Sequence, residues 1–292
     1  MLPSSPTIDT GAPSDSLATS YTCAGLPGRF CLFYQPELDL HDGSIHSCEA
    51  LLRWLHPDYG ILRPGASLGG TRWTANIPDI EDWSIREVCR QGQAWHDGGH
   101  RVQVALNLSH GQLLRPDLLA RLDEALAETG LDPTHLAIDA PFTSLASDPV
   151  GFRPIVADVA GRGITVAADG VGRGASLGVL NGLAATVWKI DLCTRGRRHE
   201  GLHPSVEAAL AAAHDAGATT VAKAVEHHRL LTEVGNLGFD RAFGHSVGAA
   251  VTPGAFREIL RRGGARRRGL FGPIRPDQAT ERSEGVSSMR SR

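Results

Sequence analysis

The feature that most constrains the fold is a repeated alternation of short apolar runs with helix-like patterns. Helical spacing of apolar residues separates most of the runs, as in "IEDWSIREVCRQGQAW" (80–95). Such an alternation, repeated about eight times, predicts a parallel sheet, and eight units favour a closed (β/α)8 barrel over an open doubly wound sheet. The runs of strand length occur at 31–35, 48–54, 102–108, 135–139, 164–168, 186–191, 219–223 and 241–243.

The first two predicted strands are joined by the short segment "DLHDGSIHS" (39–47). This segment is too short for a crossover helix, so we predict an antiparallel pair with a turn at Asp42-Gly43. Further along, "RPDLLARLDEALAETG" and "HPSVEAALAAAHDAG" have helical spacing and end in Gly130 and Gly217, which are typical helix stop signals. "EHHRLLTEVGNLG" repeats this form more briefly.

Composition narrows the class of protein. The 292 residues are 41% hydrophobic, enough for a sizeable core, and no 18-residue apolar stretch predicts a membrane span. The N-terminus lacks the pattern of a secretory signal. Five cysteines are scattered without a C-x-x-C pair, which argues against a disulfide framework or a zinc site. We therefore expect reduced thiols and a cytoplasmic protein.

Composition shifts predict three parts in the chain. Residues 1–25 are rich in Ser, Thr, Pro and Gly and are expected to be disordered, and residues 26–262 form the barrel domain. Residues 263–292 read as a disordered Arg-rich tail. Nine Arg and three acids in 261–292 give a net charge of +6, which leaves −9 for 1–260. With little aromatic interleaving, the tail is weak evidence for nucleic-acid binding, which we do not expect. Because both flanks are short, we expect no fused sensor or cyclase domain.

Polar residues lie near the ends of the predicted strands, where a barrel of this kind places its active site. Taken singly, the Asn and Asp residues could cap turns or helices. Taken together they supply oxygen ligands from four strands, which suits Mg²⁺ or Mn²⁺. Lys189 and Lys223, the only lysines in the chain, would balance charge or hold an anionic substrate. This combination is typical of phosphoester hydrolysis. The four oxygen donors are Glu49, Asn107, Asp139 and Asp169.

Six motifs carry a resemblance to a known family. They are "YQPELDLHDGSIHSCEALLRWLHPDYG", "VALNLS", "LDPTHLAID", "VAADGVGRGASLGVL", "VWKID" and "VAKAVE". Together they resemble, in order and spacing over about residues 30–260, the EAL domains, bacterial phosphodiesterases specific for cyclic di-GMP. The resemblance implies a modified TIM barrel with an antiparallel first strand, and hydrolysis of one phosphodiester to linear pGpG with one or two Mg²⁺ or Mn²⁺ ions.

The resemblance also assigns roles to residues. Lys189 matches the lysine placed near the attacking water, and Glu226 matches the second Glu of the E-G-V-E motif; both are predicted catalytic residues. Asp139 stands where the family has a glutamate ligand, so the acid is kept but its side chain is shorter by one methylene. The predicted metal ligands are Glu49, Asn107, Asp139 and Asp169, and the predicted contacts to cyclic di-GMP are Gln35, Leu51 and Arg53.

Several family positions are altered in this chain. Gly170 replaces the second Asp of the D-D-F-G motif, Lys223 replaces the first Glu of E-G-V-E, and Phe243 replaces a Gln. Phe142 replaces a Glu that steadies the loop after the fifth predicted strand, and this loop and the segment "LGGTRWTANIP" (68–78) also depart from the family pattern. Replacing one acid by glycine and another by lysine removes about three units of negative charge, so we predict one bound metal ion rather than two.

Two functions remain open at this point. The chain is either an EAL-like protein that binds cyclic di-GMP or a protein partner without efficient turnover, or a slow phosphodiesterase. Loss of a positioned general base typically costs about 10²–10⁴ in rate. Two routes to residual activity remain open. The charge of Lys223 would replace that of the second metal ion, or a neutral Lys223 amine would serve as the base. The family often dimerises near the altered loop, so a homodimer is also left open.

Overall fold

The computed structural model describes residues 19–63, 77–172, 176–192 and 204–266. The strands in these ranges are β1 (Arg29–Asp39), β2 (Ile45–His56), β3 (Gly60–Leu62), β4 (Gln103–Asn107), β5 (Leu136–Pro141), β6 (Thr165–Val171), β7 (Val187–Asp191), β8 (Thr219–Lys223) and β9 (Arg241–Phe243). The helices are α1 (Ile77–Asp97), α2 (His110–Leu113), α3 (Leu118–Thr129), α4 (Phe142–Ser147), α5 (Pro149–Gly161), α6 (Pro204–Asp215), α7 (His228–Asn236) and α8 (Pro253–Arg266).

Eight of these strands close into a barrel. Around the barrel the order is β1-β9-β8-β7-β6-β5-β4-β2, and β2 pairs again with β1. Strands β2 and β4 to β9 are parallel neighbours, whereas β1 is antiparallel to both β2 and β9. The predicted modified (β/α)8 barrel with an antiparallel first strand is therefore confirmed. The short strand β3 extends the sheet outside the barrel as a hairpin partner of β2.

The helix predictions are confirmed in α1, α3, α6 and α7. Gly130 ends α3 with φ +73°, and Gly217 follows α6 with φ +66°, the left-handed conformation that glycine adopts without steric cost. Between β6 and β7 the described residues contain only a 3₁₀ turn (Leu177–Leu180). Sequence periodicity did not predict α5, which starts at Pro149 with the Asp148 side chain accepting from the Gly151 amide at 2.9 Å.

The period of two along β1 and β2 divides the side chains between two environments. One face packs outward under the helices, where Tyr34 meets Trp95 of α1 and Phe256 of α8 approaches the same indole at 4.9 Å between ring centroids. The other face points into the barrel. Small apolar side chains of Ala167, Val187 and Val221 fill a layer of the interior. Two positions further along the same strands, the inward side chains are polar, so they lie directly above this apolar layer. They are Asp169, Lys189 and Lys223.

The predicted three-part division of the chain meets ordered structure at both of its boundaries. Tyr21 exchanges two 2.8 Å backbone hydrogen bonds with Phe30, and Cys23 is buried, so packing against the barrel begins before residue 26. At the other end α8 continues to Arg266. The rest of the predicted terminal segments, 1–18 and 267–292, lies outside the described residues. No helix within the described ranges is long and apolar enough to cross a membrane.

Candidate active site at the barrel mouth

The parallel strands bring the predicted polar residues to the carboxyl end of the barrel. Asn107, the last residue of β4, is paired in register with Asp139 of β5, and Asp169 of β6 is paired with Lys189 of β7. Lys223 ends β8, and Glu49 of β2 lies opposite Ala105 of β4. Five strands that follow one another around the barrel therefore contribute to one rim, together with β2.

Glu49 is buried and has one oxygen engaged and one open. The Asn107 side-chain amide donates to Glu49 Oε1 at 2.7 Å. Glu49 Oε2 is buried and has no hydrogen-bond partner. A buried carboxylate oxygen left without a donor is costly, and a cation or an ordered water is the usual compensation. Asn107 orients Glu49 and does not cap a helix, because Ser109 is the N-cap of α2.

Asp139 and Lys189 form an ion pair in the interior. Both side chains are buried, and Lys189 Nζ lies 2.5 Å from Asp139 Oδ2, while Asp139 Oδ1 has no partner. Burial raises the pKa of Asp139, and the Lys189 ammonium opposes that rise. Burial acts to lower the pKa of Lys189, but the carboxylates of Asp139 and Glu37 outweigh it and raise that pKa. Lys189 is therefore a fixed ammonium.

Glu37 is part of this network and was missed by the sequence analysis. Its Oε1 accepts from Ser47 Oγ at 2.6 Å and from Arg241 Nη1 at 3.2 Å, and its Oε2 lies 3.9 Å from Lys189 Nζ. The signal was present, since Glu37 lies two residues after Gln35 and so shares its face of β1. Glu37 gives Lys189 a second carboxylate and thereby fixes the position of the ammonium.

Asp169 and Lys223 form a second ion pair nearer the mouth. Lys223 Nζ lies 2.6 Å from Asp169 Oδ1, and it also sits 5.7 Å from the centroid of the Phe243 ring. Burial acts to lower the pKa of Lys223, but the Glu49 and Asp169 carboxylates outweigh it and raise that pKa. A predicted metal ligand, Asp169, is thus paired with a cation supplied by the chain itself.

The remaining departures are accommodated without a packing defect. Gly170 has φ +79°, and a Cβ built on it meets nothing within 4 Å, so the missing acid leaves open space. Phe142 is fully buried at the start of α4, so an aromatic ring fills the core where the family resemblance implies an acid. The predicted departures at residues 68–76 and 173–174 lie outside the described residues.

Ala224 carries backbone strain directly after Lys223. Its φ of +64° is left-handed, and it is the sole non-glycine residue with positive φ in the described ranges. We predict that Ala224→Gly raises the free energy of unfolding by about 0.5–1 kcal/mol, because glycine adopts this conformation without a Cβ clash. Urea unfolding measures the change. Ala222→Gly, in β8 at ordinary φ, is the control and is expected to lower stability; a loss in both variants would contradict the strain.

Gln35, Leu51 and Arg53, the predicted ligand contacts, line one side of the barrel interior. Gln35 lies opposite Glu49 across the β1–β2 pair and donates to the Gly248 carbonyl at 2.9 Å. Arg53 lies 5.7 Å from the Phe33 ring centroid. The period of two places Glu49, Leu51 and Arg53 on one face of β2, which explains how an acid and a base fit into an apolar run.

Glu226 differs from the other predicted site residues because it is half exposed. Its Oε2 lies 2.7 Å from Nδ1 of His245, a residue that the sequence analysis did not single out. Both residues follow the last strands of the barrel, which places them at the mouth. The contacts described for Glu226 do not connect it to the two acid–lysine pairs, so it lies beside that cluster and not within it.

Two buried carboxylate oxygens of the site are open to a hard cation. Glu49 Oε2 and Asp139 Oδ1 are open, buried carboxylate oxygens, whereas Asp169 is paired with Lys223. Within the described ranges, no group of three or more His, Cys, Asp or Glu side chains is arranged to hold a metal ion. Mg²⁺ usually keeps several waters and needs only one or two carboxylates, so the Glu49–Asp139 side suits one such ion.

The net charge of the barrel interior is close to zero. Four acids face four bases, which leaves little negative charge to attract two divalent ions. The acids are Glu37, Glu49, Asp139 and Asp169, and the bases are Arg53, Lys189, Lys223 and Arg241.

Comparison with known proteins gives a consistent picture. A family model described as "EAL domain" matches residues 24–250. The bifunctional diguanylate cyclase/cyclic di-GMP phosphodiesterase MucR of Pseudomonas aeruginosa is 34% identical over 187 residues, which is 63% of this chain and 27% of MucR. The cyclic di-GMP phosphodiesterase NbdA of the same organism is 33% identical over 55% of this chain and 21% of NbdA. The chain therefore aligns with about a quarter of each of these relatives.

Solved structures agree with the fold. The structure described as "PaMucR Phosphodiesterase, c-di-GMP complex" superposes with a TM-score of 0.71 at 28% identity, covering 78% of this chain and 94% of that one. The EAL domain of Mycobacterium smegmatis DcpA superposes with a TM-score of 0.67 at 24% identity, covering 80% and 98%. At that identity the second match speaks for the fold alone.

Proposed function

Because the chain belongs to the EAL domain family, we propose that it binds cyclic di-GMP as a signalling module and hydrolyses it poorly or not at all. The observation that carries this proposal is the 2.6 Å ion pair between Lys223 and Asp169. Two metal ions clamp the attacking and leaving oxygens in two-metal phosphoester hydrolysis. An ammonium that occupies one acid of the site works against the second ion, but it still attracts a phosphodiester.

Binding has its own support. The predicted ligand contacts Gln35, Leu51 and Arg53 are intact in sequence and share one side of the barrel mouth. Arg53 supplies a planar cation that can stack on a base or bind a phosphate, and Phe33 supports it from below. These three residues support binding, although Gly170 and Lys223 replace acids on the metal side.

One Mg²⁺ or Mn²⁺ ion is part of the proposal. Glu49 Oε2 and Asp139 Oδ1, which have no hydrogen-bond partner, would bind the ion. Asn107 would add its side-chain amide oxygen, while its amide nitrogen donates to Glu49. When bound, such an ion polarises a phosphoryl oxygen and lowers the pKa of a bound water. The chain's own contribution would be to orient the phosphodiester with Arg53 and to hold the Lys189 ammonium close to the reacting end.

A slow phosphodiesterase is the second candidate, and a specific observation favours it. The Glu49–Asp139–Lys189 part of the site has the residue types that the family resemblance implies, apart from a shortened acid at Asp139. One metal and one ammonium could support turnover at a reduced rate. The homodimer, a protein partner and the cytoplasmic location are further proposals, and none of them is needed for either candidate.

Purified protein incubated with cyclic di-GMP and Mn²⁺ separates the two candidates. We expect saturable binding by calorimetry with little or no pGpG by chromatography. Glu49→Gln is the control, because it removes a negative charge at the same site without changing its shape. Rapid pGpG formation that Glu49→Gln abolishes would overturn the proposal of impaired turnover, and absence of binding would overturn the proposal of a cyclic di-GMP module.

A further inference from the structure

We infer that the Lys223 ammonium replaces one of the divalent cations that the family resemblance implies, so that binding of the phosphodiester at this mouth does not require a metal ion. The inference rests on the proposed binding of cyclic di-GMP and adds how the site holds its ligand. It assigns Lys223 a role in binding the anionic ligand. The glutamate that the family motif has at this position could not play that role.

The altered positions converge on one ammonium. Lys223 of β8 lies between Asp169 of β6 and Phe243 of β9, with 2.6 Å to the carboxylate oxygen and 5.7 Å to the ring centroid. Phe243 is itself an altered position, and an aromatic face attracts a cation. Gly170, the third alteration, removes the acid beside Asp169.

The two lysines of the site differ in their access to a ligand. The side chains of Lys223 and Asp169 are 18% and 22% exposed, whereas those of Lys189 and Asp139 are 4% and 0% exposed. A phosphate that enters the mouth can therefore reach Lys223 directly. Lys189 is enclosed and already paired with Asp139 and Glu37, so its ammonium would attract the phosphate only from a distance.

The chemistry of the ammonium suits a phosphodiester. Lysine is a compact charge with three rotatable donors, so Nζ can keep its bond to Asp169 while another proton points to a phosphate oxygen. A divalent ion placed beside Asp169 would instead face the charge of Lys223 at close range. The same residue thus favours the anionic ligand and disfavours the second metal ion.

Calorimetric titration of cyclic di-GMP in excess EDTA and, separately, in Mn²⁺ tests the inference. For the wild-type chain we expect affinities that agree within about threefold between the two conditions. Lys223→Gln is expected to lose about 10- to 100-fold in EDTA, the range for removal of a hydrogen bond to a charged group. Lys223→Arg keeps the charge and is expected to keep most of the affinity.

Arg162→Gln is the matched control. Arg162 follows α5 and precedes β6, so it lies at the opposite end of the barrel, where it pairs with Asp123 at 2.7 Å. It removes one positive charge from the chain and is expected to leave cyclic di-GMP affinity unchanged. An equal loss in both Gln variants would overturn the inference, because it would show an effect of net charge alone.

The outcomes also separate this inference from the proposed function. Wild-type binding in Mn²⁺ but not in EDTA would overturn the metal-free mode and leave the proposed function standing. No binding in either condition would overturn the proposed function itself. The wild-type comparison needs no variant, so the test holds even where Lys223→Gln fails to fold, which circular dichroism would show.

Discussion

The double variant Gly170→Asp/Lys223→Glu is expected to raise the rate of cyclic di-GMP hydrolysis by about 10²-fold or more, the scale of a restored general base. It returns both acids that the family motif has and removes the ammonium from Asp169. The backbone can accept the first change, because a Cβ at Gly170 meets open space and Asp tolerates a left-handed φ. Chromatography of pGpG formed in Mn²⁺ measures the gain.

The matched control is Gly170→Asn/Lys223→Gln. It has the same side-chain shapes as the double variant but lacks both carboxylates, so we expect it to stay at the wild-type rate. Thermal unfolding adds a second readout, since Mn²⁺ should stabilise the acidic variant more than the amide variant. An acidic variant that binds Mn²⁺ by this measure and gains no activity would show that the altered acids are not what limits turnover.

Lys189→Met is expected to lower the free energy of unfolding by about 3–5 kcal/mol, the usual cost of leaving a buried charge without its partner. The side chain is 4% exposed, and its removal deprives Asp139 of its 2.5 Å partner and Glu37 of a second cation. Urea unfolding monitored by circular dichroism measures the loss. Arg241 still pairs with Glu37, so most of the penalty falls on Asp139.

The pH dependence of this loss identifies its cause. Burial raises the pKa of Asp139 in the folded chain, and Lys189 opposes that rise. An unfolded Asp titrates near about 3.9, so the penalty in Lys189→Met is absent below that pH and grows as the pH rises. Lys189→Met/Asp139→Asn removes both charges and is expected to recover much of the loss. A loss of equal size at all pH values would indicate lost packing instead.

Much of the fold could be predicted because its signals are local. The strands 219–223 and 241–243 coincide with β8 and β9, and the two glycine stop signals end their helices as expected. Apolar periodicity needs no knowledge of the rest of the chain. The backbone pairing of Tyr21 with Phe30 and the burial of Cys23 could not be predicted, because a polar composition does not reveal contacts with residues outside the segment.

The members of the site could be predicted, but their pairing could not. Strand ends locate Asp139, Asp169 and the two lysines at one rim, yet nothing in the sequence says which lysine meets which acid. That choice depends on neighbouring strands, since β6 stands between β5 and β7 and registers Asp169 with Lys189. Each lysine side chain nevertheless pairs with an acid two strands away. Lys189 of β7 contacts Asp139 of β5, and Lys223 of β8 contacts Asp169 of β6.

Glu37 and Phe33 show a second limit of sequence reasoning. Both share the inward face of β1 with Gln35, but an inward acid or ring has no role until its partner from a distant strand is known. Arg241, more than 200 positions later, and Lys189 give Glu37 its role. Arg53, across the hairpin, gives Phe33 its role as support for a cation.

The anomalous scattering of manganese in a crystal grown with cyclic di-GMP and Mn²⁺ locates any metal ion at the barrel mouth. We expect at most one manganese peak, beside Glu49 and Asp139, with an intact cyclic dinucleotide whose phosphate lies against Lys223. Two manganese peaks, one of them beside Asp169, with pGpG in place of the cyclic ligand would overturn the proposed loss of the second metal ion.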